Sequence, residues 1–243
     1  MPTKKTWFRE WFNTPYYHQL YKHRNDDEAQ MFMRNLVEFL KLPTSSTILD
    51  LACGKGRHSI FLNSLGYRVT GADLSENSIL YAQQSSNNSL SFKVQDMREP
   101  FDLKTDAVFN LFTSFGYFEN DLEDLKVLEN IKQALEDHGV GVLDYMNVNK
   151  VIPNLVNEET LYRDNLKFDI QRSVTHGFIT KDIYVNDQDQ QFHFQERVKA
   201  IDLAKFKSYL NATGLKIQHI FGDYHLSEYN PDSSDRLILV FSK

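Results

Sequence analysis

The sequence places two glycines and an aspartate at the spacing of a nucleoside-binding site. Gly54 and Gly56 follow a short apolar run at 47–51, and a helical pattern starts directly after them. Glycines at such a turn let the backbone bend sharply and let a ligand approach closely. Asp73 ends the next apolar run, where a carboxylate can accept hydrogen bonds from both hydroxyls of a ribose. These residues predict a nucleoside site at the carboxyl ends of two neighbouring strands.

Two further residues bear on which nucleoside the site would take. A dinucleotide site expects glycine or alanine at the sixth position of G-x-G-x-x-G, where this chain has Ser59. Asp50, near the end of the first apolar run, would repel a pyrophosphate in a poorly hydrated cleft. The same carboxylate suits a ligand with an ammonium group. Because S-adenosylmethionine carries an ammonium and a sulfonium and no phosphate, charge complementarity favours it over a nicotinamide dinucleotide.

The elements that would position these residues alternate between short buried strands and helices. The predicted strands cover 47–51, 67–72, 91–95, 106–111 and 139–145, and the predicted helices cover 26–42, 57–65, 75–85 and 122–136. This alternation favours an α/β fold with a Rossmann-like, doubly wound, mostly parallel sheet. Asp50, Asp73 and Asp96 come at the ends of three consecutive strands, so they should face the crevice where such sheets bind ligands.

The pattern changes near residue 150, where strand-like alternation continues without helices. It predicts a small antiparallel β insert late in the chain, before a helix and two strands complete the core. We therefore expect a single domain over 1–243. Its parts are an N-terminal arm (1–25), a Rossmann-like core (26–150 and 201–243) and an insert that could act as a lid (151–200).

The stretch from Asp50 to Arg57 resembles the first motif of class I S-adenosylmethionine-dependent methyltransferases. Their usual form is acid-x-Gly-x-Gly-x-Gly, and this chain has Ala52 at the first glycine. The resemblance implies that the backbone of Gly54 and Gly56 lies along the methionine part of the cofactor. It also implies that Asp73 binds the ribose. The residues assigned to the cofactor in this way are Asp50, Ala52, Cys53, Gly54, Gly56, Asp73, Leu74, which packs on the nucleoside, Gln95, Leu111, and Asp96 with Met97, which bracket the adenine.

The N-terminal arm resembles that of small-molecule N-methyltransferases acting on amino sugars and on glycine. The similar stretch is 17–24, followed by a helix that begins at Asp26. The resemblance implies that Tyr21 and Arg24 hold the methionine carboxylate, and a guanidinium gives such a group a forked, charge-assisted contact. The alternative is that Arg24 is a surface residue paired with Asp26 or Asp27.

The stretch 110–118, after the fourth strand, has the composition of a pocket wall for the methyl acceptor. It lacks the Asn/Asp-Pro-Pro-Tyr sequence usual in nucleic-acid amine methyltransferases. Tyr117 and Tyr17 are the candidates for a catalytic role. The sequence does not choose a general base among the other candidates, and it leaves Arg236 open as a surface charge. Those other candidates are His58, His176, His193, Glu196 and Tyr145.

Composition narrows the class of protein further. The net charge of −6 argues against a nucleic-acid partner, and the single cysteine fits a reducing compartment. No apolar run approaches the ~20 residues that a membrane span requires. We expect a soluble, cytoplasmic protein without a metal site or a membrane partner, and the oligomeric state, a homodimer included, stays open.

The predicted function is transfer of a methyl group from S-adenosylmethionine to a small molecule, with an amine favoured, by in-line displacement. S-adenosylhomocysteine would be the product. Three alternatives remain from the sequence: a NAD(P)-dependent oxidoreductase, a non-catalytic nucleoside-binding module, and a methyltransferase of macromolecules.

Overall fold

A computed structural model describes residues 7–22, 26–188 and 190–243. Its central sheet has seven strands, and helices cover both faces. The strands of this sheet are β1 (Thr47–Leu51), β2 (Arg68–Asp73), β3 (Leu90–Val94), β4 (Thr105–Asn110), β5 (Leu135–Met146), β10 (Lys216–Phe221) and β11 (Arg236–Ser242). Their order is β10-β11-β5-β4-β1-β2-β3, and β11 runs antiparallel to both of its neighbours. The predicted mostly parallel, Rossmann-like sheet is confirmed.

The helices begin and end where side chains or glycine satisfy the free backbone groups. Ser75 accepts a hydrogen bond from the Ser78 N–H at the start of one helix, and Gly214 ends another with φ +68°. The helices are α1 (Trp7–Trp11), α2 (Pro15–Leu20), α3 (Asp26–Phe39), α4 (Arg57–Ser64), α5 (Glu76–Ala82), α6 (Asp121–Ala134), α7 (Val148–Val151) and α8 (Leu203–Thr213), with a 3₁₀ turn at Gln83–Ser85.

Four strands between α7 and α8 form a separate antiparallel sheet, as the sequence predicted for this part of the chain. They are β6 (Glu158–Arg163), β7 (Leu166–Thr175), β8 (Phe178–Asp187) and β9 (Gln190–Lys199), paired in chain order. The first of them, β6, is exposed at alternate positions and buries none of its residues.

The arm and the insert pack together on one side of the central sheet. Trp7, Phe8 and Trp11 of α1 share a hydrophobic core with Phe168 and Ile183 of the insert. A second core on the opposite face contains α3 and α4. Among the helices given above, none combines the length and apolarity needed to cross a bilayer. Residues of the arm and of the insert both line the crevice at the carboxyl ends of the parallel strands.

Candidate active site

Asp50 lies at the end of β1 with only 3% of its surface exposed. Its Oδ2 accepts a hydrogen bond of 2.5 Å from the Ser59 hydroxyl at the start of α4. Burial raises the pKa of the Asp50 carboxyl to about 6, although the hydrogen bond from Ser59 opposes the rise. Ser59, which disfavours a dinucleotide site, thus donates its hydrogen bond to Asp50, the carboxylate expected to bind an ammonium group.

The loop after β1 is held against β2 by its own backbone. The N–H groups of Ala52 and Cys53 donate to the Ala72 carbonyl over 2.7 and 3.1 Å. Gly54, with φ +56°, has open space beside it, since an added Cβ would meet no atom within 4 Å. A ligand can therefore approach the backbone at this position.

Asp73, at the end of β2, joins two loops. Its Oδ2 accepts from the Gly54 N–H and its Oδ1 accepts from the Ser75 N–H, both over 2.8 Å. Burial raises the pKa of this carboxyl, and the backbone hydrogen bonds oppose the rise. Because each carboxylate oxygen has two lone pairs, both can accept a further hydrogen bond from a ribose hydroxyl.

Gly56 lies outside the wall of the crevice. It adopts φ +80° before α4, and an added Cβ would meet the ring of Phe92 at 2.5 Å. The side of Gly56 where a side chain would stand therefore packs against Phe92 of β3, and its contact with the cofactor stays a prediction from the resemblance. The glycine is required here for close packing and for its left-handed conformation.

Asp96 and its neighbours line the crevice beyond β3. Arg98 binds both oxygens of Asp96, with Nε at 3.0 Å from Oδ1 and Nη2 at 2.7 Å from Oδ2. The Arg98 guanidinium also lies over the ring of Phe118, 4.6 Å from its centroid. The peptide carbonyl of Met97 accepts from the Asn130 side chain over 3.1 Å. Arginine therefore fixes the orientation of the carboxylate predicted to lie near the adenine.

Most of the residues predicted for the site line one cavity of about 940 Å³. It brings together Tyr17, Tyr21, Asp50, Ala52, Cys53, Gly54, Asp73, Leu74, Gln95, Asp96, Met97, Leu111 and Tyr117. Of the residues predicted for the site, Gly56 lies outside the cavity wall, and Arg24 lies outside the described residues.

In the arm, Tyr21 contacts the insert. Its hydroxyl lies 2.7 and 2.8 Å from the two carboxylate oxygens of Glu196 and accepts a hydrogen bond from Lys181 Nζ over 2.6 Å. Trp11 Nε1 also donates to Glu196 over 2.7 Å. His18 lines the same part of the cavity, and burial together with the charge of Lys55 lowers its pKa to about 4. The arm thus adds a neutral imidazole to the cavity near pH 7.

A buried ion pair supports the wall after β4. Phe112 and Thr113 have φ of +59° and +62°, and the Phe112 N–H donates to Asp144 Oδ2 over 2.7 Å. Arg236 Nε donates to Asp144 Oδ1 over 2.8 Å, and Arg236 Nη2 donates to Thr113 Oγ1 over 2.9 Å. Arg236 lines the cavity together with Phe112 and Thr113. The interpretation of Arg236 as a surface charge is wrong. Its buried partner, Asp144, lies inside the apolar run of β5, and a charged residue in such a run is the sequence signal for a buried ion pair.

Comparison with known proteins agrees with this geometry. Residues 44–209 match the family model of the methyltransferase domain. The chain belongs to the methyltransferase domain family. The prediction of a methyltransferase with S-adenosylmethionine as its cofactor is thereby confirmed.

Relatives of this methyltransferase share different parts of its length. YqeM of Bacillus subtilis (strain 168) is 39% identical over 107 residues, which span 42% of the chain and 43% of that relative. An enzyme of Streptomyces venezuelae, dTDP-3-amino-3,4,6-trideoxy-alpha-D-glucopyranose N,N-dimethyltransferase, is 24% identical over 75% of the chain and 80% of its own length. The crystal structure of an S-adenosylmethionine-dependent methyltransferase from Clostridium acetobutylicum ATCC 824 has a TM-score of 0.80 at 18% identity, over 93% of this chain and 95% of that one. The last comparison shows a shared fold.

The residues of the methyltransferase fit its cofactor. Asp50 offers a buried carboxylate to an ammonium, Asp73 offers acceptors to a ribose, and the open space beside Gly54 admits a ligand. Leu74 and Met97 supply apolar surface beyond them. Within the described ranges, no group of three or more His, Cys, Asp or Glu side chains is arranged to hold a metal ion.

The structure separates the candidates for a general base. His58 and Glu196 line the cavity. His176 and His193 are exposed and lie outside it. Tyr145 is fully buried outside the cavity, and its hydroxyl donates to the Lys199 carbonyl over 2.6 Å. These positions leave His58 and Glu196, with Tyr17 and Tyr117, as the candidates that line the cavity.

Proposed function

We propose that this methyltransferase transfers a methyl group to a small-molecule acceptor, with an amine favoured. The cavity carries the proposal, because it continues from the strand-end acids to an aromatic end formed by the arm and the wall after β4. Its volume of about 940 Å³ lies within the ~300–1,000 Å³ usual for small-molecule sites. This space suits one small acceptor beside the cofactor.

The aromatic end of the cavity consists of rings in edge-to-face or tilted contact. The centroid of Trp7 lies 5.3 Å from that of Tyr117, and Phe12 lies 4.9 Å from Tyr17 and 5.7 Å from Tyr117. Ring faces attract cations and exclude water. An amine or its methylated, cationic product therefore suits this end better than a neutral hydroxyl compound.

The relative from Streptomyces venezuelae supports an amine as acceptor. That protein is named as an N,N-dimethyltransferase of an amino sugar. A nucleic-acid acceptor is disfavoured by the net charge of −6. We extend only the class of acceptor, a small amine, to this chain.

The residues around the cavity would act mainly by positioning the acceptor and excluding water. S-adenosylmethionine supplies an electrophilic methyl group on a sulfonium when bound. The aromatic rings restrict the acceptor to one approach, which lowers the entropic part of the barrier. His18, with its pKa of about 4, adds no positive charge near a sulfonium at neutral pH. An amine that arrives protonated must lose a proton before it can attack.

The proposal is tested by measuring S-adenosylhomocysteine formation with matched acceptors. A panel would pair each primary or secondary amine with the hydroxyl and thiol compounds of the same skeleton, and total RNA and protein would be included. We expect turnover with amines and none with the macromolecules. Methyl incorporation into RNA or protein, or turnover confined to hydroxyl compounds, would overturn the proposed acceptor class. Calorimetric titration with S-adenosylhomocysteine, with NADH as the control, checks the cofactor separately.

A further inference from the structure

The Arg236–Asp144 pair supports one more step, which concerns the chemistry of the acceptor. Asp144 is fully buried, whereas 18% of the Arg236 side chain remains exposed at the cavity wall. Burial opposes the charge of the guanidinium, but Asp144 and Tyr224 outweigh burial and hold its pKa above the usual value. Arg236 therefore keeps its positive charge at the wall of the cavity.

The pair leaves part of the guanidinium available to a ligand. Asp144 binds Arg236 through Nε alone, and its second oxygen accepts from the Phe112 N–H. Nη2 makes one hydrogen bond, to Thr113, and Nη1 makes none with any described residue. Two terminal nitrogens with free N–H groups form the fork that binds a carboxylate or phosphate through two parallel hydrogen bonds.

The position of Arg236 in the sheet separates it from the cofactor residues. Most of the strand-end residues assigned to the cofactor lie at or just after the ends of β1, β2 and β3, and Leu111 follows β4, whereas Arg236 begins β11. In the order β11-β5-β4-β1, it is three strands from Asp50, or roughly 14 Å at about 4.8 Å per strand. Arg236 also contacts Thr113 in the wall that borders the aromatic end. A ligand group at Arg236 would therefore belong to the acceptor.

We propose that Arg236, positioned by Asp144 and Thr113, binds an anionic group of the acceptor, so that the acceptor is a small amine bearing a carboxylate or a phosphate. This inference rests on the proposed function. The pair is neutral as a whole, and the charge of Glu28 also acts on Arg236, so recognition depends on direct hydrogen bonds at short range and not on long-range attraction. Lysine cannot reproduce the forked contact although it keeps the charge.

The test measures anion binding to the protein loaded with S-adenosylhomocysteine. Inorganic phosphate and acetate serve as separate probes in calorimetric titrations, since they represent the two kinds of anion. The variants are Arg236→Lys and, as a matched control outside the cavity, Arg34→Lys, whose guanidinium lies over the ring of Phe61. Thr113→Val provides a second test that keeps the charge and removes the hydroxyl that orients Nη2.

We expect at least one probe to bind, and we expect Arg236→Lys to weaken it by about 10-fold or more, as for a lost charge-assisted contact. Arg34→Lys should leave it unchanged. If Arg236→Lys does not fold, weaker anion binding by Thr113→Val gives the same support. The inference is overturned if neither anion binds the loaded wild-type protein, or if the Arg236 and Thr113 variants that fold bind anions as the wild type does.

A further pair of titrations tests whether Arg236 contacts the cofactor and not the acceptor. If Arg236→Lys weakens S-adenosylhomocysteine but not 5′-methylthioadenosine, which lacks the amino acid part, the guanidinium holds the cofactor carboxylate and the inference is wrong. A wild-type protein that does not bind S-adenosylhomocysteine contradicts the proposed function itself. A protein that binds it and ignores both anions contradicts only the inference about Arg236.

Discussion

The backbone N–H of Gly54 donates a hydrogen bond of 2.8 Å to Oδ2 of Asp73. This contact joins the loop after β1 to the end of β2, so the parts of the site assigned to methionine and to ribose are fixed relative to each other. The other oxygen of Asp73 binds the Ser75 N–H at the start of α5. One carboxylate therefore orders two loops and still has lone pairs for a ligand.

We expect Asp73→Ala to weaken S-adenosylhomocysteine binding by about 1.5–3 kcal/mol, or about 10–150-fold. The change removes the acceptors for the ribose hydroxyls and frees the Gly54 loop. Calorimetric titration measures the dissociation constant, and a melting curve checks that the variant is folded. Glu76→Ala is the control, because Glu76 is an exposed acid only three residues away. An unchanged dissociation constant in Asp73→Ala would remove this carboxylate from the site.

Asp50 should make cofactor binding depend on pH. Its pKa of about 6 means that the carboxyl is mostly ionised at pH 7 and mostly protonated at pH 5. An ammonium binds the ionised form better, so the affinity for S-adenosylhomocysteine should fall below pH 6. Asp50→Asn should bind weakly at pH 7 and lose this part of the pH dependence. The measurement is a series of titrations between pH 5 and 8. Parallel curves for the two proteins would exclude Asp50 as the titrating group.

The same aspartate should lower the stability of the ligand-free protein at neutral pH. Folding raises the pKa of Asp50 from 3.8 to about 6, so the folded state binds the proton more tightly than the unfolded state does. The stability that this proton contributes is present below about pH 4 and is lost as the pH rises to about 6. Asp50→Asn should therefore gain up to about 3 kcal/mol over the wild type above pH 6 and little at pH 4. Urea unfolding at both pH values measures the difference. A constant difference between pH 4 and 7 would contradict the assignment.

The local parts of this structure could be predicted from the sequence, and the long-range pairs could not. Strand and helix periodicity, with Ser75 and Gly214 as caps, depends on neighbours along the chain. Asp144 and Arg236 are 92 residues apart, and they meet because β5 and β11 pair antiparallel in one register. No local pattern contains that register. The motif also cannot separate a glycine needed for packing, as Gly56 is beside Phe92, from one needed for a ligand, because the two look alike in a sequence.

Glu196 should hold the N-terminal arm on the insert. It accepts hydrogen bonds from Trp11 and Tyr21, two residues of the arm. Glu196→Leu removes these contacts, each worth about 1.5–3 kcal/mol for a charged acceptor, so the arm should open at least about 10-fold more often. Trypsin cleavage after Lys22, followed by mass spectrometry, measures this opening. Glu196→Gln, which keeps acceptor oxygen, should be cleaved at an intermediate rate. Equal cleavage of all three proteins would show that the arm is held by its aromatic contacts alone.

The Lys199–Asp124 ion pair should contribute to stability mainly because removing either partner leaves the other as an unpaired buried charge. Burial raises the pKa of Asp124 to about 6 despite Lys199, and Asp124 is fully buried. Lys199→Met should lower the free energy of unfolding by about 3–5 kcal/mol at pH 7, and by less at pH 5, where Asp124 takes up a proton. Urea unfolding provides the measurement.

Two further variants test this account of the ion pair. Adding Asp124→Asn to Lys199→Met should restore at least half of the loss, since it removes the unpaired charge. Lys205→Met, which breaks a half-exposed contact with Asp121, should cost under about 1 kcal/mol. A double variant no more stable than Lys199→Met would show that lost packing, and not the buried charge, causes the destabilisation.

Tyr17 and Tyr117 should assist methyl transfer by shaping the aromatic end of the cavity. The Tyr117 hydroxyl donates to the Thr113 carbonyl over 2.6 Å, so its proton is already used in a hydrogen bond to the wall after β4. A positioned general base contributes about 10²–10⁴-fold, so Tyr17→Phe and Tyr117→Phe should each lower kcat by well under about 100-fold if positioning dominates. Tyr117→Phe should raise the KM of the acceptor. Tyr162→Phe, at an exposed position on β6, is the control. A drop of kcat beyond that range, together with a displaced pH–rate profile, would identify the altered tyrosine as a proton-transfer group instead.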